Sequence, residues 1–252
     1  MPALTDEVSR LPANRTVDEV VDRLTSIEAA LDGFYAPGAV SPAARRDRPP
    51  PIDGVACFNG MYLQVTEAVR AALGRFENRA FIERLDVLFA EFYFQAYAAA
   101  AAGAWLSKAW APLFKRREER HVLALQFAIA GMNAHINNDL AHALVLTWNE
   151  LGVDPGGDTP ERRDYERVND ILEHVETEIK GPLADDFIAG VDSVFGTADD
   201  FLALWSIRRA RDEAWERAEL MRALPTRELD GLFDRFVGFA GNLLLHPSVL
   251  RL

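Results

Sequence analysis

Apolar residues return along this chain at the helical period and nowhere in sustained alternation, so helices are the elements it can build. Val17, Val20, Val21, Leu24, Ile27 and Leu31 make the first stripe. Thr16 followed by Glu19 is a capping box before it, and Asp32-Gly33 ends it. Residues 34–53 carry Pro37, Pro42 and the run Pro49-Pro50-Pro51, which lacks the donor N–H groups a helix needs. This stretch reads as a long loop or a linker, the kind of loop that often carries function. Helical blocks follow over 59–76 and 79–104. Pro112 interrupts the next segment, and 115–150 reads as one long helix with Gly131 in its middle. That glycine costs about 1 kcal/mol against alanine unless close packing needs it. Pro155-Gly156-Gly157 breaks the chain. Further helices are expected over 161–180, 198–223 (capped by Thr197 and Asp200) and 227–245, with Pro225 and Pro247 at ends. The expected fold is all-α. Residues 1–15 form a flexible N-terminus, and 16–252 form a compact single-domain bundle of about seven to nine helices around a buried central helix.

Charge and cysteine content remove several classes of function. Lys and Arg number 27 against 39 Asp and Glu, a net charge of −12, the wrong sign for coating phosphates, so no nucleic-acid partner is expected. The single cysteine, Cys57, excludes an intramolecular disulfide and a thiolate zinc cage, and a small apolar packing role suits it. The most apolar stretch, 85–105, contains Asp86, Glu91 and Gln95, and its alanines suit a buried helix approached closely by neighbours rather than a bilayer span. The first residues have no secretory apolar core. A soluble, cytoplasmic protein without a membrane partner is the expectation. Gly-rich phosphate loops and Gly-x-Ser-x-Gly elbows are absent from the sequence.

The richest segment is Gly131-Met132-Asn133-Ala134-His135-Ile136-Asn137-Asn138-Asp139-Leu140-Ala141-His142, polar side chains set in an otherwise apolar helix. Such a helix is buried, and buried polar groups need partners. His135, Asn138, Asp139 and His142 share one face at i, i+3, i+4 and i+7, while Asn133 and Asn137 share the opposite face. His121 lies about 40° off the first face. Three readings stand. His135, Asp139 and His142 could ligate a divalent metal, iron or zinc, with an open position. Asp139 could instead orient His135 as a metal-free general acid or base beside Asn138. Or the whole set is a hydrogen-bonded polar core.

Secondary candidates are weaker. Arg84, Glu91 and Gln95 fall on one stripe that reads most simply as a solvated face. Alternatively Glu91 faces the His135 helix as another ligand, with Tyr93 and Tyr97 lining a shared cavity and Glu91, Gln95, Tyr93, Asn133 and Asn137 contacting substrate. Asp164, beside Tyr165 and Asn169, suits a helix start. Arg208, Arg209 and Arg211 with Trp205 and Trp215 form a basic aromatic patch able to hold an anion, although Asp212 and Glu213 offer ion pairs. Residues 115–120 mix both signs and read as a solvated helix start.

Several segments together resemble a bacterial family known only as a domain of unknown function. They are Asp53-Gly54-Val55 with Phe58-Asn59 and Tyr62-Leu63-x-Val65-Thr66; Leu85-Asp86-x-x-Phe89-Ala90; Gly131-Met132-Asn133-Ala134-His135-Ile136-Asn137-x-Asp139-Leu140; Asp164-Tyr165-x-x-Val168-Asn169; and Arg209-x-Arg211-x-x-Ala214-Trp215. The resemblance covers about residues 50–220. It implies one all-α domain and focuses on His135 and Asp139; His142 lies outside the family's core pattern. It supplies no reaction. Two functions are carried forward. One is an enzyme acting on a hydrophobic small molecule by metal-assisted or His/Asp acid–base chemistry in a buried helical pocket. The other is a non-catalytic ligand-binding or scaffold protein whose His/Asn/Asp motif is structural. Homodimerisation through an apolar helix face is compatible with both.

Overall fold

The structure, a computed structural model, describes residues 16–31, 53–173, 207–224 and 227–246. The N-terminus 1–15, the proline-rich loop up to residue 52, the Thr197–Asp200 cap, Trp205, Pro225 and Pro247 lie outside the described residues. Every regular element among those described is helical, as the periodicity required.

Helix α1 (Val17–Ala30) buries the stripe read from the sequence, and the Thr16 hydroxyl accepts from the Glu19 N–H at 3.2 Å. Helix α2 (Gly54–Ala72) starts earlier than expected. The Asp53 carboxylate takes the N–H groups of Val55 and Ala56 at 2.8 and 3.3 Å, and Arg117 pairs with the same side chain. Residues 54–63 are then buried on all sides, which hides any period in that turn. A 3₁₀ turn (Leu73–Arg75) leads to α3 (Arg79–Ala101), capped by Asn78 and followed by Gly103 at φ 63°.

Two corrections concern the middle of the chain. Pro112 begins a helix rather than interrupting one: α4 (Ala111–Arg116) holds it in its first turn, where an N–H has no helical acceptor. The expected helix 115–150 is broken. The chain is extended at Leu123 (ψ 153°), whose N–H is taken by the Gln126 side chain at 3.0 Å, and α5 (Ala124–Ala134) starts there. The backbone then widens into a π turn (His135–Asp139) and continues as α6 (Leu140–Leu151) to Gly152 at φ 66°. Helix α7 is described over 160–173, followed by α8 (Ile207–Ala223) and α9 (Arg227–Leu244). No helix among the described residues is long and apolar enough to cross a membrane.

Two apolar clusters fill the bundle. One joins α1, α2, α4 and α5 with the middle of α3 and part of α9; the other joins the start of α3 with α6, α7 and α8. In the second, Trp215 meets Trp148 and Tyr165 with ring centroids 4.9 and 4.8 Å apart. Asp164, fully buried, does more than favour a helix dipole: its oxygens take the N–H groups of Glu77 and Asn78 at 2.9 and 2.6 Å, tying α7 to the start of α3. The basic aromatic patch is divided. Arg211 is buried over the Tyr165 ring and bonded to Asn169, Arg208 meets Glu173, and Arg209 meets Glu213.

Helices α2 and α5 cross closely. The Phe127 ring sits where a Cβ at Gly54 would be, and the Phe58 ring sits where a Cβ at Gly131 would be. Each helix thus supplies a glycine under the other's phenylalanine, four residues apart on both. Gly131 is there because the packing needs it. Gly131→Ala is expected to lower stability by about 1–3 kcal/mol through overpacking, despite its better helix propensity. Gly231→Ala in α9, where a Cβ meets nothing within 4 Å, is expected to be neutral or stabilising. Urea denaturation of both variants checks this, and a Gly131→Ala protein as stable as wild type contradicts it.

Candidate functional site

The π turn sets the polar motif at the junction of the two clusters. The Leu140 N–H reaches back to the His135 carbonyl, five residues earlier, and Arg217 of α8 donates to the Asn137 carbonyl at 2.6 Å. A single wide turn of this kind in an α-helix is frequent at functional sites. Its acceptor hub is Asp139. Oδ2 takes the Trp110 indole N–H at 2.9 Å and lies 3.2 Å from His135 Nδ1; Oδ1 takes the Asn138 amide at 2.9 Å. Trp110 is in turn held at the start of α4, where Asp234 of α9 accepts from the backbone N–H groups of Lys108 and Ala109 at 3.0 and 2.8 Å.

His135 is enclosed by rings. Phe89 lies flat against it, with centroids 3.5 Å apart and planes at 6°. Tyr62 (4.6 Å), Phe58 (5.7 Å), Trp110 (5.9 Å) and Tyr93 (6.4 Å) stand around it at steep angles. Burial lowers the imidazole pKa below its ordinary 6.5, and this outweighs the opposing pull of Asp139. The ring is therefore neutral at pH 7. Facing an acceptor-only carboxylate, Nδ1 carries the proton and donates it to Asp139, which leaves the lone pair on Nε2. Nε2 is buried and has no hydrogen-bond partner among the described residues.

Two further buried oxygens share this condition, the Tyr62 hydroxyl and Asp86 Oδ2. Burial, then the charge of Asp86, pushes the Tyr62 phenol well above its usual range. Burial raises the Asp86 carboxyl to about 7. The site thus offers an imidazole acceptor and a phenol among aromatic rings, with a carboxyl that titrates at about 7 close enough to raise the phenol. Phe89 and Asp86 are its partly exposed members.

The other sequence candidates divide. Asn138 joins the hub. His142 does not: its ring faces Arg217 (3.4 Å) and Phe92, and burial beside that cation lowers its pKa to about 3. No group of three or more His, Cys, Asp or Glu side chains among the described residues is arranged to hold a metal ion, so His135, Asp139 and His142 are not assembled as a ligand set. Asp139 already accepts three hydrogen bonds, and a cation beside His142 opposes a second one. His121 is exposed near Glu119, far from any buried partner. Glu91 is not on a solvated face. It is buried, and it turns to α1, where Arg23 meets it at 3.3 Å, rather than towards His135. Gln95 is only half-buried. Tyr93 does line the His135 cage, and its hydroxyl donates to Asn59 at 3.2 Å. Asn133 and Asn137 bond to each other at 3.1 Å, and Asn133 donates to the Val237 carbonyl of α9 at 3.0 Å, which makes them ties between helices.

The family of unknown function DUF5995 matches residues 17–247. The chain belongs to this family. No curated protein and no solved structure matches it. The match to DUF5995 spans all the elements that build the His135 site. Sequence reasoning passed over five of this DUF5995 chain's site residues: Phe58, Tyr62, Asp86, Phe89 and Trp110. All but Trp110 stand in the short segments that carried the family resemblance. Phe58 and Tyr62 also sit one turn apart on one face, as do Asp86 and Phe89 at i, i+3.

Asp86 gives a pH signature. An unfolded carboxyl ionises near 3.8 and the folded one near 7, so the native state holds the extra proton between those values and stability falls as pH rises through that window. Asp86→Asn is expected to raise Tm relative to wild type by roughly 5 °C at pH 8 and to have little effect at pH 4. Equal shifts at both pH values contradict this assignment.

Proposed function

We propose that this domain binds a hydrophobic small molecule at the aromatic cage and acts on it by metal-free acid–base chemistry, with His135 as the base. The observation that carries this reading is the buried, unpartnered Nε2 of an imidazole whose other nitrogen is fixed by Asp139. A neutral histidine with a carboxylate on Nδ1 can take a proton at Nε2, and the carboxylate stabilises the imidazolium that forms. Tyr62, and Asp86 in its protonated form below about pH 7, are the donors that would hold a substrate oxygen. Ligands rich in flat, unsaturated groups fit best, since the imidazole already accepts the Phe89 ring face to face. Phe and Trp number 15 and 5 in the chain, a composition that also suits such ligands.

A second reading has its own support. Three donors converge on Asp139 and fasten the π turn to α4, which is what a structural polar core does. Asp139→Asn separates the two. The test is a thermal-shift screen of apolar esters, ketones and phenols, followed by turnover assays of the compounds that bind. Catalysis predicts that Asp139→Asn and His135→Gln lose at least about 100-fold in turnover of a wild-type substrate while remaining folded. A wild type that neither binds nor converts any of these compounds, with an Asp139→Asn variant strongly destabilised, supports the structural core and overturns the catalytic reading.

A further inference from the structure

Helix α9 has two apolar faces. Its inner face, Val237, Gly238 and Gly241, is buried together with the Asp234 side chain and with Leu245 just past the helix end. Gly238 lies against the Lys108 carbonyl and Gly241 against Pro112, so the helix is seated closely on the chain around α4. The outer face carries Leu229, Leu232, Phe236, Phe239 and Leu243, exposed by 38, 62, 68, 62 and 50%. Isolated exposed apolar residues need no explanation, but five in one row do.

Their spacing is 3, 4, 3, 4. That is the a/d pattern of a helix that packs along another helix, unbroken for two heptads and about 21 Å long. Among the described residues α9 buries only its inner face, which leaves the outer one open to a partner. From this stripe we infer that the chain forms a homodimer, with α9 of one copy packed antiparallel against α9 of a second.

Three features favour a second copy over other occupants. First, the stripe is self-complementary: a two-fold axis near its centre puts the two phenylalanines of each copy together, with leucines on either side. Second, the five side chains expose on the order of 500 Å² of apolar surface. Full burial of two such stripes comes to the ~1,000 Å² that a specific interface needs, to which the flanking residues of the interface add. Third, the charge pattern suits self-association. The chain has a net charge of −12, but α9 carries Arg227 and Arg235 against Glu228, Asp230 and Asp234, so the helix is nearly neutral and Asp234 is turned inward. An anionic membrane surface is disfavoured by the same overall charge, since amphipathic helices that bind one are rich in Lys and Arg on their polar face.

Sedimentation equilibrium of the full chain tests this at micromolar concentration. Wild type is expected at twice the 28.1 kDa chain mass, and Phe236→Glu with Phe239→Glu at the chain mass itself, with unchanged helical circular dichroism. Leu232→Lys with Leu243→Lys, read in the same way, replaces that pair should it lose helicity. A wild type that sediments as a monomer up to about 100 µM, or a dimer that survives folded variants of the stripe, overturns the inference. Since neither variant touches the His135 site, the result is independent of the proposed chemistry.

Discussion

The seating of Phe58 on Gly131 and of Phe127 on Gly54 decides how closely α2 approaches the central helix, and the site follows from that distance. A Cβ on either glycine would push the helices apart. With them close, Phe58 and Tyr62 of α2 reach the imidazole of His135 from one side while Phe89 and Tyr93 of α3 close the other. The imidazole is buried among these rings, and that burial lowers its pKa by more than the Asp139 carboxylate raises it. The close packing at two glycines therefore contributes to the burial that lowers the pKa of a histidine one turn further along.

The polar half of the site is held by a chain of contacts that begins far from it. Asp234 on α9 fixes the start of α4, which places Trp110, whose indole N–H joins His135 and Asn138 on the Asp139 carboxylate. Arg217 on α8 takes a carbonyl of the π turn. Removing one member of a buried network leaves the others unsatisfied, so the motif is coupled to α4, α8 and α9 and not only to its own helix. His135 Nε2, the Tyr62 hydroxyl and Asp86 Oδ2 are buried without a hydrogen-bond partner among the described residues, as are His142 Nδ1 and Arg217 Nε beside the same π turn. The proposed chemistry rests on the first of these, the nitrogen opposite the one that Asp139 holds.

The sequence showed the helical class, the buried central helix and the His135–Asp139 pair, because each rests on spacing within one helix. What it hid depends on distant partners or on backbone geometry. Glu91 looked like a solvated residue because its partner, Arg23, is 68 positions away on another helix. The break before α5 was invisible because Leu123 and Gln126 look helical, and only the side-chain hydrogen bond between them shows a helix start. The π turn has no period to read, and it leaves His142 beside Arg217 rather than with His135. Trp110 belongs to the site through a hydrogen bond across 29 residues that no local pattern encodes.

The proposed chemistry at His135 requires a neutral ring with its proton on Nδ1 and a lone pair on Nε2. Two-bond ¹H–¹⁵N correlation spectra of the histidine-labelled protein, assigned with a His135→Gln variant, read that state directly. The expected result at pH 7 is one pyrrole-type and one pyridine-type nitrogen for His135, with Nδ1 the protonated one and a titration midpoint below 6.5. Two protonated nitrogens at pH 7, or a proton on Nε2, would contradict it.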